Sequence, residues 1–173
     1  MKPIDESGIN HLFHHILSTL YHIQPADQWS VIPKNWCLTT AKTKYGMADH
    51  QGIIHINQNF VATGFWDLLE AVLRHEFAHL CVGLSQSHNR RFKQCEKLFK
   101  GYFNADARRQ ATAYGSRIHY NYRLMAELVD GQCLEIKKTH RKHHKYTNYP
   151  HQNRVTYFYQ QQRIKRFYYV SEK

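Results

Sequence analysis

Residues 69–92 read LEAVLRHEFAHLCVGLSQSHNRRF, and this segment decides the fold because it combines an apolar helical pattern with a metal-ligand spacing. Its centre is HEFAH at positions 75–79, an H-E-x-x-H sequence. On a helix, residues four apart lie one turn above each other, so His75 and His79 can present two imidazoles to one point. The spacing predicts a zinc site, with the Glu76 carboxylate placed to act as general base in a hydrolysis.

The same segment is expected to form a buried helix, because apolar residues occur on nearly all of its faces. They are Trp66, Leu69, Val72, Leu73, Phe77, Leu80 and Cys81. Buried histidines and a buried glutamate need polar partners, since an unpartnered polar group away from water is costly in free energy. A metal ion supplies such partners, and we favour it over the alternative that His75 and His79 are hydrogen-bonded core residues.

A catalytic zinc site usually takes three protein ligands, and His88 is the best candidate for the third. The apolar run ends near Gly83, and the polar residues 85–87 form a turn that could fold the chain back. His88 would then open a second helix, at about residues 88–103. Glu96 is the alternative third ligand.

Three features in this order resemble the SprT-like metallopeptidases, the family that includes Spartan. The first is a short strand that ends in asparagine, residues 52–57 (GIIHIN), and the second is the H-E-x-x-H helix. The third is His88 followed four residues later by Phe92. Asn89 departs from the pattern, because the family usually has glycine there.

The resemblance implies a zincin-like metalloprotease core, made of helices and a small β-sheet around the H-E-x-x-H helix. Zn2+ would be held by His75, His79 and His88. It would polarise a peptide carbonyl and lower the pKa of a water, while Glu76 takes the proton of that water and passes it to the leaving amine. Resemblance to Spartan further suggests substrates that are proteins on DNA.

The last part of the chain is basic and rich in aromatic residues. Residues 105–173 hold 14 of the 24 lysines and arginines but only 5 of the 13 acids, so +9 of the formal net charge of +11 lies there. Alternating patterns predict β-strands at residues 118–124, 133–137, 155–159 and 164–170. Asp130-Gly131 predicts a hairpin turn. We therefore expect an α+β protein with two domains, a metallopeptidase core at 1–104 and an antiparallel β appendage at 105–173.

The appendage takes the place of the zinc ribbon that many SprT-like proteins carry. Only Cys133 lies beyond residue 105, so a four-cysteine zinc site cannot form, and we expect an aromatic core to hold this region together. The histidines within residues 137–145 are an alternative ligand set. Their lysine neighbours would repel a cation, so a basic loop is the simpler interpretation.

Partners and location follow from charge and composition. Basic residues interleaved with aromatic residues on strands suit single-stranded nucleic acid, and the alternative interpretation is a solvated basic face over a tyrosine-rich core. The metallopeptidase hypothesis predicts a protein substrate, and the first interpretation adds single-stranded DNA as a partner. The four cysteines show no close pairing, which favours reduced thiols. No stretch has the pattern of a signal peptide or a membrane span, so we expect no membrane partner and a cytoplasmic protein, or a nuclear one in a eukaryote.

These observations predict a zinc-dependent metallopeptidase that hydrolyses peptide bonds, with DNA-associated proteins as the suggested substrates. The alternative is a nucleic-acid-binding or adaptor protein in which the zinc is structural and non-catalytic. The two hypotheses differ in Glu76, which only the first one requires.

Overall fold

The H-E-x-x-H segment forms a helix, α2 (Trp66–Val82), in a computed structural model that describes residues 2–118, 120–150 and 155–172. Its apolar residues are buried on nearly all sides, as the pattern predicts. The helix ends at Gly83, whose φ of 97° lies in the region that favours glycine. The chain is α+β, as predicted, and divides into two compact units, Met1–Ile118 and His119–Lys173.

The first unit combines helices with a small three-stranded sheet. Its other elements are α1 (Glu6–Ile23), β1 (Asn35–Thr39), β2 (Gly46–Ala48), β3 (Ile53–Asn57), α3 (Arg90–Phe99) and α4 (Ala105–Arg117). The strand order is β1-β3-β2, with β1 parallel and β2 antiparallel to β3, so β2 forms one edge of the sheet. Ile54 and Ile56 of β3 are fully buried, as is the apolar face of α1. This core supports α2.

The division between the units differs from the predicted one, which fell after residue 104. Helix α4 belongs to the first unit because Ala107 and Tyr114 are buried, Tyr114 within the core of that unit. Gln110 of α4 also holds the start of α2: its Oε1 accepts a hydrogen bond from Leu68 N at 2.9 Å, and its Nε2 donates to Asp67 Oδ2. A helix of the first unit therefore occupies residues 105–117, which the sequence predicts as the start of the β appendage.

The second unit is an antiparallel sheet with one short helix. Its elements are β4 (Tyr122–Leu128), β5 (Cys133–Thr139), α5 (His144–Thr147), β6 (Phe158–Tyr159) and β7 (Gln162–Ser171), and the strand order is β5-β4-β7-β6. The hairpin predicted at Asp130-Gly131 joins β4 to β5, with Gly131 at φ 88°. The strand predicted at 118–124 begins only at Tyr122, because Ile118 caps α4.

Aromatic packing holds the second unit together. Tyr149 and Phe167 are buried with ring centroids 5.4 Å apart, and Tyr146 and Tyr157 pack around them. Cys133 is exposed. None of the helices in the described residues combines the length and apolarity that a membrane crossing requires.

Candidate metal centre

Helix α2 presents His75 and His79 on the same face, one turn apart. Their ring centroids lie 4.9 Å from each other, and both residues are half-buried. The opposite faces of α2 are apolar and buried in the core, which fixes the rotation of the helix about its own axis. The two imidazoles therefore project from a rigid support.

His88 joins them by way of a tight turn after α2. Ser87 has a φ of 51°, and His88 follows it directly, one residue before the first cap position of α3. Nε2 of His88 lies 3.3 Å from Nε2 of His75. Nitrogens of all three histidines lie within 4.8 Å of one another, a group that could hold a metal ion. The structure thus brings together the three predicted ligands, with His88 the exposed one.

The second helix is shorter than the predicted 88–103, because Asn89 starts it and Lys100 ends it in a left-handed conformation. The Asn89 side chain accepts a hydrogen bond from Phe92 N at 3.1 Å and so caps α3. Glycine at this position lacks the side-chain acceptor. Asn89, which departs from the SprT-like pattern, therefore has a structural role: its cap fixes the backbone directly after His88.

Glu96, the alternative third ligand, occupies a different place. Its Oε1 lies 2.6 Å from Nδ1 of His75, on the side of the ring away from His88. A carboxylate can only accept here, so Nδ1 carries the proton and Nε2 is left with its lone pair towards the other histidines. Glu96 thereby sets the tautomer of His75, as outer partners of metal-binding histidines commonly do.

Phe92 forms an aromatic floor beneath the three histidines. Its ring centroid lies 4.2 Å from that of His79 in a stacked arrangement, and 5.0 and 4.8 Å from those of His75 and His88. Phe92 is itself fully buried, so it restricts the rotamers of all three rings. The sequence singled out Phe92 only as part of a family pattern, and the contact explains its presence.

Glu76 is buried beside the histidines, with 6% of its surface exposed. Its Oε2 accepts a hydrogen bond from the backbone N–H of Ala48 on β2 at 3.0 Å. Burial raises the pKa of the Glu76 carboxyl to about 7, although the Ala48 hydrogen bond and the charge of Lys44 oppose that rise. A carboxyl group with such a pKa can both accept and return a proton near neutral pH.

Burial, together with the neighbouring His75, His88 and Lys44, lowers the pKa of His79 to about 4. His79 is therefore neutral at physiological pH in the absence of any ligand. A neutral imidazole is the form that binds metal, so little proton release from His79 accompanies binding.

A cleft of about 940 Å³ opens over the histidines. The edge strand β2, the turn that follows it, and residues 101–103 form its walls. Two glycines allow these walls to approach α2: a Cβ on Gly46 would lie 2.8 Å from Val72 Cγ1, and a Cβ on Gly101 would lie 2.8 Å from the backbone N of His75. Sequence reasoning missed both positions, because a close approach between segments distant in sequence leaves no local pattern.

The histidines within residues 137–145, the alternative ligand set, do not join a cluster of three ligands in the part of the chain that the structure describes. The same holds for the histidine-rich face of α1, and the only such cluster within the described residues is His75, His79 and His88. His55 on β3 instead contacts Cys37 and Asp49. The predicted basic loop at 137–145 overlaps the end of β5 and the first two residues of the short helix α5.

A scan against protein-family models and searches of curated proteins and of solved structures found no match to this chain. The resemblance to SprT-like metallopeptidases therefore rests on the residues of the sequence itself. Membership of that family stays a prediction.

Proposed function

We propose that this protein is a zinc-dependent metallopeptidase. The observation that carries the proposal is the convergence of three histidine nitrogens beside a buried glutamate, at the floor of a cleft bordered by an edge strand. Each part has a separate role in peptide hydrolysis, and no part requires a residue outside the first unit.

The three histidines fit zinc in chemistry, and one pair of their nitrogens has the spacing of zinc ligands. Zinc sites that are open for catalysis take three nitrogen or oxygen ligands, with Zn–N distances of about 2.0–2.1 Å in a tetrahedral arrangement, which places neighbouring nitrogens roughly 3.3–3.4 Å apart. The Nε2 atoms of His75 and His88 are 3.3 Å apart. A zinc ion in this group would lower the pKa of a water and polarise the carbonyl of the scissile peptide bond.

Glu76 supplies the proton transfers. Its carboxylate accepts a proton from the attacking water and then donates that proton to the nitrogen of the leaving amine, so the group ends as it began. Burial raises the pKa of the Glu76 carboxyl in the metal-free protein, which favours its return of the proton, whereas a bound cation would favour the ionised form that accepts it. The hydrogen bond from Ala48 N fixes one carboxylate oxygen, which leaves the other to handle the proton.

The edge strand β2 offers a place for an extended substrate. Asp49 N bonds to Ile53 O, and Tyr45 O accepts from Asn57 N, so these flanking residues face β3. By the alternation of an antiparallel pair, Gly46 and Ala48 turn their backbone groups to the open side. A peptide that adds to this side by main-chain hydrogen bonds lies along the cleft, which suits hydrolysis of a flexible protein segment.

The second unit supports a role for DNA in this activity. It carries most of the excess positive charge, and its β6 strand exposes Phe158 and Tyr159 by 62% and 42%. Exposed rings beside lysines and arginines can stack on unpaired bases while the cations contact phosphates. We propose proteins associated with single-stranded DNA as the substrates, with the second unit binding the nucleic acid.

Glu76→Gln tests the mechanism. The variant is expected to keep zinc and to lose cleavage of casein, measured with and without single-stranded DNA, because the amide cannot accept the proton. Glu70→Gln is the matched control: Glu70 lies on the same helix and pairs with Arg74 at 2.8 Å, outside the cleft. Cleavage by Glu76→Gln at the wild-type rate would contradict the assigned role of Glu76.

The second candidate is a nucleic-acid-binding protein with a structural zinc, and the charge and exposed rings of the second unit favour it equally. It predicts that Glu76→Gln has no effect on function. It also predicts that neutralising the basic residues of one segment abolishes function, namely Lys137, Lys138, Arg141, Lys142 and Lys145. Comparing the two variants in one functional assay separates the candidates, whereas DNA affinity alone does not.

A further inference from the structure

A second group of reactive side chains lies on the outer face of the first unit's sheet. Ile54 and Ile56 are buried in the core, so His55 between them points to the opposite side. Cys37 does the same on β1, because its neighbours Trp36 and Leu38 pack against the core. Cys37 and His55 are register partners on the parallel strands β1 and β3, which brings the two side chains together.

The imidazole of His55 lies between a thiol and a carboxylate. Its Nδ1 is 3.2 Å from Sγ of Cys37, and its Nε2 is 2.8 Å from Oδ2 of Asp49. Asp49 is fixed in turn, since its Oδ1 accepts hydrogen bonds from the backbone N–H groups of Gln51 and Ile53. A carboxylate held in this way orients the ring of His55.

The Asp49 contact also sets the tautomer of His55. The hydrogen bond from His55 holds the pKa of the Asp49 carboxyl below its ordinary value, so Asp49 is ionised and can only accept. Nε2 of His55 therefore carries the proton, and Nδ1 is left as an acceptor facing the thiol. This order of nucleophile, base and orienting carboxylate is the arrangement that activates thiols in unrelated proteins.

We propose that Cys37 is a nucleophilic thiol site that reacts with low-molecular-weight disulfides, with His55 as its proton acceptor and Asp49 as the residue that positions His55. The proton of the Cys37 thiol passes to Nδ1 of His55, and the thiolate attacks one sulfur of the disulfide. The disulfide bond of the reagent breaks, and a mixed disulfide forms on Cys37. The departing thiolate takes the proton from His55.

Neither Cys37 nor His55 lines the cleft over the three histidines, although Asp49 does, and the inference does not depend on the proposed peptidase activity. His55 uses both ring nitrogens in its contacts with Cys37 and Asp49, so it has none left for a metal. The site is also accessible: Cys37 is half-buried, and the side chains of His55 and Asp49 are 27% and 30% exposed. A small disulfide can reach it from solvent.

The test compares two cysteines within one molecule. The full-length protein is treated with oxidised glutathione at neutral pH, and the mixed disulfide at each cysteine is followed by peptide mapping and mass spectrometry. Cys133 is the internal control, because it is more exposed than Cys37 and its Sγ contacts the Gly131 carbonyl, at 3.8 Å. Exposure alone predicts that Cys133 reacts first.

The proposal predicts that Cys37 reacts roughly tenfold faster than Cys133. A free thiol is only a few per cent ionised at neutral pH, so activation can gain at most about thirtyfold, and the weaker nucleophilicity of a stabilised thiolate reduces that gain. Equal rates, or a faster reaction at Cys133, would overturn the proposal. This comparison needs no variant.

Two variants test the contributions of the partners. His55→Gln is expected to slow modification of Cys37 about tenfold and to leave the rate at Cys133 unchanged. Asp49→Asn keeps an acceptor for the turn amides and is expected to have a smaller effect in the same direction. An unchanged Cys37 rate in a folded His55→Gln variant would refute the role of His55, and if that variant does not fold, the comparison in the wild type decides.

Discussion

Nδ1 of His75 and Oε1 of Glu96 form a hydrogen bond of 2.6 Å that joins α2 to α3. This bond holds the His75 ring so that Nε2 faces His88 and His79. Glu96 therefore contacts the side of the His75 ring away from His88, and this contact differs from the third-ligand role that is its alternative in the sequence.

Glu96→Ala is expected to weaken zinc binding by about 10- to 100-fold, since it removes the partner that fixes the tautomer of His75. Glu96→Gln keeps an acceptor and should lose less. Competition with a chromophoric chelator measures the affinities, and Glu70→Gln on the same helix as His75 should match the wild type. Wild-type affinity in Glu96→Ala would mean that His75 needs no such partner.

His88→Ala is expected to lose zinc or to bind it much more weakly, because a three-ligand site becomes a two-ligand site. His50→Ala is a close control: His50 also lines the cleft and is exposed, but it lies outside the histidine cluster. Zinc content per chain is measured on protein prepared without a metal-binding tag. Full zinc content in His88→Ala would place the third ligand elsewhere.

Gly101→Ala is expected to destabilise the first unit by about 1–3 kcal/mol, because the added Cβ overlaps the backbone of α2 at His75. Backbone atoms cannot move aside as a flexible side chain can, so zinc affinity should fall as well. Gly115→Ala is the matched control. Nothing lies within 4 Å of its added Cβ, and alanine is favoured over glycine in a helix by about 0.5–1 kcal/mol. Urea denaturation should therefore move the two variants in opposite directions.

Glu127→Gln is expected to lower the melting temperature of the second unit at neutral pH. Hydrogen bonds from Lys165, which has the larger effect, and from Arg166 lower the pKa of the Glu127 carboxyl. A carboxyl whose pKa is lowered on folding stabilises the protein above its ordinary pKa of 4.5, and that contribution is lost as the pH falls through the lowered value. The difference between wild type and variant should therefore close below pH 4.5. Near-ultraviolet circular dichroism of the tyrosines follows the transition, and a difference that is constant with pH would contradict this account.

Local patterns in the sequence predicted the parts of the structure that depend on local rules. The pattern of apolar residues on nearly all faces predicted the buried helix α2, and Asp130-Gly131 predicted the hairpin, since both patterns act over a few residues. The grouping of His88 with His75 and His79 followed from a short turn after Gly83.

Contacts between distant segments were not predictable in the same way. The place of α4 in the first unit depends on Gln110 reaching the start of α2 and on Tyr114 entering its core, neither of which has a local signature. The Asn89 cap, by contrast, has a local signature, because asparagine just before a helix is a common start signal. Predicting the contact of Cys37 with His55 requires the register of β1 against β3, which the sequence alone does not provide.

If the protein is a peptidase as proposed, the hydrogen bond from Ala48 N–H to Glu76 links substrate binding to the state of the general base. An extended peptide that adds to β2 competes with Glu76 for the Ala48 amide. On the proposed function, docking would release Oε2 of Glu76 as the scissile bond arrives, so both carboxylate oxygens would face the reaction only when a substrate is in place. Only a substrate chain aligned along β2 would displace this hydrogen bond.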